Sequence, residues 1–132
     1  MNFLDRHFVR TKITGEIVDT SDSHMSINEK DFNLSSSEFE KLLEENNSVL
    51  IDVRTFEEYV LARIPDSVLY DIYQPDFLQK IDALDRSGIY MIYCRSGNRS
   101  RTACVQMIKM GFERVFHLKE GIIGWRGKIV GG

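Results

Sequence analysis

A chain of 132 residues with 42% apolar and 28% charged side chains has the composition of one soluble globular domain. Its net charge of −3 argues against nucleic acid or an anionic membrane surface as a partner, and no stretch approaches the ~20 apolar residues of a membrane span. Met1 to His7 has no apolar run of signal-peptide length, and two cysteines do not make a disulfide framework, so a reducing cytoplasm is the expected setting.

Residues 1–30 read as an N-terminal extension. Val9 to Val18 carries β-branched residues around Gly15, compatible with a short hairpin or arm, and Asp19 to Ser26 is a polar loop. The domain proper is expected over 31–132. Ser35 with Glu38 is a capping box, and Phe39, Leu42 and Leu43 follow at helical spacing until Asn46-Asn47. Ser48 to Val53 is then an unbroken apolar strand of the kind a doubly covered parallel sheet uses. Thr55 caps a short helix to about Leu61, with Phe56 and Tyr59 expected to face inward, and Pro65 ends helical structure before a second strand at Val68-Leu69-Tyr70. Pro75 opens a helix carrying Phe77, Leu78, Ile81 and Leu84. Ser87-Gly88 turns the chain into the strand Ile89 to Tyr93, and a helix follows from about Arg99 to Met110, stopped by Gly111. Arg114 to Leu118 is a last strand and Gly121 to Trp125 a last helical turn. Strand and helix alternate throughout, which predicts an α/β fold with a parallel sheet and helices on both faces.

Cys94 falls where a buried strand ends and a helix begins. Unpaired N–H groups and the positive end of the helix dipole meet at such a junction and favour a thiolate or a small anion. A lone cysteine at a strand end is most often a small buried hydrophobe. Here the next six residues are Arg95, Ser96, Gly97, Asn98, Arg99 and Ser100, a poor core segment and a good nest for an anion. Gly97 permits close backbone approach and the two arginines add fixed positive charge. The stretch therefore reads as a nucleophilic cysteine in an anion-binding loop, and a local positive spot on an acidic chain favours a small anionic substrate.

Ligands of parallel α/β sheets bind beyond the carboxyl ends of the strands. Asp52 and Arg54 close the other clear central strand and should share the rim with Cys94, either as an ion pair pinning strand to loop or as part of the chemistry. The remaining reactive side chains have plainer readings. Cys94, Cys104, His7, His24 and His117 show no zinc-ligand spacing. Cys104 would lie about 9 Å along the helix from its start, too far to resolve an oxidised Cys94 without movement, and fits the core. His117 lies in a predicted strand, and a thiolate at a helix N-terminus needs no base. Trp125 reads as a packing residue.

Taken in order, Ile51-Asp52-Val53-Arg54, Glu57-Glu58-Tyr59, Ile64-Pro65, Tyr93 to Ser100 and Gly121-Ile122-Ile123-Gly124-Trp125 make the chain resemble a single-domain rhodanese over roughly residues 32–126. The resemblance implies a five-stranded parallel sheet and sulfurtransferase activity toward thiosulfate or a related donor. Cys94 would become a persulfide, cradled by the loop from Arg95 through Ser100, with no metal or organic cofactor. The implied partners are a small anionic sulfur donor and a thiol, cyanide or protein-cysteine acceptor, acting on a monomer or homodimer. The chain departs from the family where Ala62-Arg63 and Asp66-Ser67 flank Ile64-Pro65 in place of Gly-His and Gly-Ala pairs, and where Glu120 replaces the first of two glycines. Two rivals share the fold. A phosphatase or arsenate reductase needs Cys-x5-Arg, whereas here the arginine, Arg99, comes one residue early. A partner-binding module without catalysis usually lacks the cysteine that this chain keeps.

Overall fold

The computed structural model describes residues 31–45 and 47–132, so the extension, its hairpin or arm, and Asn46 lie outside the described residues. Among the described residues five strands are present: β1 (Asn33–Leu34), β2 (Val49–Asp52), β3 (Val68–Leu69), β4 (Ile89–Tyr93) and β5 (Arg114–Leu118). Four helices accompany them: α1 (Ser36–Glu45), α2 (Phe56–Leu61), α3 (Phe77–Asp82) and α4 (Asn98–Lys109), and a 3-10 turn spans Ile122–Gly124. The sheet is parallel throughout, in the order β1-β5-β4-β2-β3. This is the α/β architecture expected, with five strands.

The two central strands are apolar at nearly every position because both faces are covered. Residues alternate along them between two cores. Ile51, Tyr90, Ile92, Cys94 and Val115 pack with Phe77 and Ile81 of α3 and Ala103, Cys104 and Met107 of α4. Leu50, Met91, Tyr93, Phe116 and Leu118 pack on the other face with Phe39 of α1, Ile64 and Trp125. Cys104 is therefore a core residue, and burial pushes its thiol up from the ordinary value.

The boundaries follow from local chemistry. Glu38 N–H donates to Ser35 Oγ and Glu38 Oε1 accepts from Ser35 N–H, closing the box that starts α1. Gly111, at φ +101°, ends α4 in the left-handed conformation open to glycine. The inward assignment of Phe56 does not hold: it is 64% exposed, and Leu78 on the next helix is likewise 47% exposed. Each lies on a six-residue helix, too short for a stripe of apolar residues to define a single buried face. Helix α3 also begins at Phe77, two residues after Pro75, and ends before Leu84, which packs against the core from the following turn.

Candidate active site

Strand β4 delivers Cys94 to its carboxyl end, and alternation along the strand turns the thiol toward α4. Only 1% of Cys94 is exposed. Its Sγ lies 3.1 Å from the Gly97 N–H donor and 3.3 Å from that of Ser100, with Ser100 Oγ at 3.5 Å. The first N–H groups of α4 have no carbonyl one turn below to bond, and here one of them is spent on sulfur. A thiolate, or a sulfur atom carried on it, meets fixed positive dipoles without solvent rearrangement.

The loop is held open from outside. Ile122 N–H donates to the Cys94 carbonyl at 2.9 Å and Ile123 N–H to that of Arg95 at 3.2 Å. Both contacts need the 3-10 turn to lie against the loop. Gly121 makes that approach possible at φ +73°: a Cβ there would stand 2.0 Å from the Arg95 carbonyl oxygen. Gly97 meets the same constraint at φ +105°, where a Cβ would lie 2.1 Å from the Lys119 carbonyl oxygen. Glu120, at the family's other glycine position, is exposed and adopts no positive φ.

The charges divide into unlike pairs. Arg95, Ser96 and Asn98 are exposed at the rim. Arg99 instead makes a two-pronged ion pair with Glu58 of α2, Nη1 to Oε1 at 2.8 Å and Nη2 to Oε2 at 3.0 Å. The same Glu58 Oε1 accepts the Thr55 N–H, so the carboxylate caps α2 and ties it to the loop. The Arg99 hydrogen bond, foremost, holds the Glu58 carboxyl down at about 2, and Glu58 in turn raises Arg99 above its ordinary value. A shallow depression of about 330 Å3 beside the loop is lined by Ile72, Tyr73, Asn98, Arg99 and Thr102.

Asp52 and Arg54 form a buried ion pair with each other. Arg54 donates through Nε and Nη2 to both Asp52 oxygens, Nη2 to Oδ2 at 2.7 Å, and Nη2 also reaches the Ala62 carbonyl at 2.6 Å. The arrangement pins the end of β2 to the segment after α2. Arg54 also stacks over the Tyr93 ring at 5.5 Å, so the pair braces the residue before Cys94. The Tyr93 hydroxyl sits between Ile64 N–H and Ser67 Oγ, both 3.1 Å away, and burial pushes its phenol well above the usual range. Ser67 and Asp66, which replace the family's glycine and alanine, fit the same turn: Asp66 takes the left-handed φ of +68°, and Ser67 Oγ donates to the Ile64 carbonyl.

Four residues of this neighbourhood carry no signal strong enough to place them by sequence. Glu58 stood out only within the Glu57-Glu58-Tyr59 stretch. Tyr93 looked like one more aromatic of an apolar strand. Asn33 and His117 are 84 residues apart, yet Asn33 Oδ1 and His117 Nε2 are 2.6 Å apart, while His117 Nδ1 stands 2.8 Å from Ser100 Oγ. Such cross-strand contacts depend on the register of β1 on β5, in which Asn33 lies beside His117.

Comparison with known proteins places this geometry in context. The family model described as the rhodanese-like domain matches residues 35–128. A sulfurtransferase of Allochromatium vinosum is 34% identical over 91 residues, 69% of this chain and 83% of that protein. A tRNA uridine(34) hydroxylase of Pelagibacter ubique is 28% identical over 120 residues, 90% of this chain and only 40% of that protein. Among solved structures, a rhodanese-related protein of Thermoplasma volcanium superposes with a TM-score of 0.66 at 22% identity, covering 75% of this chain and 97% of that one, a likeness of fold.

Proposed function

Because the chain belongs to the rhodanese-like domain family, in which it has sulfurtransferase relatives, we propose that it moves a sulfane sulfur from a small anionic donor to a thiophilic acceptor through a persulfide on Cys94. The observation that carries this reading is the seating of the Cys94 sulfur on the Gly97 and Ser100 N–H groups at the start of α4. With thiosulfate as donor, the Cys94 thiolate attacks the outer sulfur. The sulfur–sulfur bond of the donor breaks and sulfite leaves with its electron pair. The terminal sulfur of the persulfide then carries the charge that the loop dipoles stabilise. A second nucleophile (a thiol, cyanide or a protein cysteine) takes that sulfur and restores the thiolate.

In this scheme Arg95, exposed at the rim, steers the donor anion, while Arg99 acts mainly by holding the loop against Glu58. Ser96, Gly97, Asn98 and Ser100 supply the walls, and Asp52 and Arg54 brace β2 behind Tyr93. No residue role calls for a cofactor. Two free thiols suit a reducing cytoplasm, and no described helix is long and apolar enough to cross a membrane.

Intact mass after incubation with thiosulfate tests the reading. A gain of one sulfur atom is expected, reversed by a thiol reductant and absent in Cys94→Ser. Failure to gain sulfur from thiosulfate, polysulfide and glutathione persulfide alike would overturn it and turn attention to phosphate and arsenate as substrates.

A further inference from the structure

A line of buried polar groups runs from the nucleophile into the sheet. Cys94 Sγ stands 3.5 Å from Ser100 Oγ, which stands 2.8 Å from His117 Nδ1, and His117 Nε2 stands 2.6 Å from Asn33 Oδ1. Cys94, Ser100 and His117 are each at most 2% exposed. The groups come from four places in the fold: the residue just after β4, then α4, β5 and β1. A buried polar side chain without function is a cost that an apolar core would avoid. The Phe32 ring, 5.7 Å from the imidazole, also packs beside His117.

We propose that Ser100, His117 and Asn33 form a proton relay that takes the thiol proton of Cys94 and returns a hydrogen-bond donor to the resulting thiolate. The inference rests on Cys94 being the nucleophile. Asn33 Oδ1 can only accept, so Nε2 of His117 carries a hydrogen and the neutral ring presents Nδ1 as an acceptor. The Ser100 hydroxyl has two acceptors in reach, the Gly97 carbonyl at 3.3 Å and Nδ1 at 2.8 Å; the shorter contact directs its hydrogen to Nδ1, and its oxygen lone pair faces the sulfur. In that arrangement the hydroxyl accepts from a thiol and gives a thiolate no hydrogen bond, leaving only the Gly97 and Ser100 N–H groups to donate to sulfur. Proton transfer inverts it. The Sγ–H bond breaks and its proton passes to Ser100 Oγ, whose own proton passes to Nδ1. The products are a thiolate and an imidazolium, with no change in net charge. Nδ1–H now donates to Ser100 Oγ, and the Ser100 hydroxyl donates to sulfur. Asn33 accepts from Nε2–H throughout, so only one ring nitrogen changes hands. His117 is thus a positioning residue and proton store that acts through Ser100.

The test reads the sign of one substitution. Iodoacetamide alkylation of the full chain at neutral pH is followed at Cys94 by peptide mass. Ser100→Ala and His117→Gln are each expected to slow it about tenfold, or ~1.4 kcal/mol. The double variant should be no slower than the slower single one, because the groups act as a chain. If Ser100 merely accepts from the thiol beside a permanently neutral His117, Ser100→Ala alkylates as fast or faster, and the relay is wrong. Additive slowing overturns it as well. Should His117→Gln not fold, Ser100→Ala still decides, together with the His117 ring-nitrogen chemical shifts. These should carry an imidazolium contribution in the wild type that Ser100→Ala loses; shifts alike in both chains would refute the relay. Sulfur loading from thiosulfate is read on the same samples, so a failed relay with sulfur still loaded leaves the sulfurtransferase reading standing. A relay signature without loading has the opposite meaning.

Discussion

Glu58 and Arg99 show how a single carboxylate can serve two elements. One of its oxygens closes the cap of α2 while both hold the guanidinium of the Cys94 loop. Its pKa is lower in the folded chain, about 2, than its unfolded 4.5. The stabilisation is therefore complete above 4.5 and given up as pH falls toward 2. Glu58→Gln should be less stable than the wild type at pH 6, and the gap should narrow at pH 3. Urea midpoints at both values would check this, and a gap independent of pH would remove Glu58 from the acid response. The sequence showed a cap at Thr55 and Glu58 only as part of the Glu57-Glu58-Tyr59 stretch. It could not show that an arginine 41 positions later shares the carboxylate, because that meeting depends on the packing of α2 against α4. The contacts of His117 were hidden for the same reason. A histidine in a strand has no visible partner until the neighbouring strand and its register are known.

At the level of elements, the Cys94 loop depends on the 3-10 turn as much as on its own residues. Gly121→Ala would drive a Cβ into the Arg95 carbonyl and force the turn away from the loop. The expected cost is about 2 kcal/mol of stability, with sulfur loading slowed beyond what the unfolded fraction explains. Thermal unfolding and the time course of mass gain separate the two effects. A loading rate equal to that of the wild type would mean that the loop holds its shape unaided. Strand β4 and helix α4 were readable because they are long and flank the loop directly, whereas the two-residue β1 carried no strand signal. The inward side of α2 and α3 was not readable either. Six residues make fewer than two turns, and packing rather than periodicity left Phe56 and Leu78 facing solvent.

For the molecule as a whole, the parallel sheet was legible because Leu50 to Val53 and Tyr90 to Tyr93 are uniformly buried and uniformly apolar, save for Asp52. That exception carries a stability prediction. Asp52→Asn leaves the Arg54 guanidinium buried opposite a neutral amide, and about 3 kcal/mol of stability should be lost. Denaturant unfolding checks the loss; a change within ~0.5 kcal/mol would show that the pair contributes little. Because the pair touches neither sulfur nor loop directly, the folded variant should still load sulfur.

Among the described residues the outermost strands, β1 and β3, are two residues each, whereas β4 and β5 at the interior are five. A margin so brief offers a neighbouring chain almost no ladder of free amides on which to lengthen the sheet. Under the proposed function, a peptide acceptor would approach end-on over the loops, where Cys94 lies, rather than along these edges.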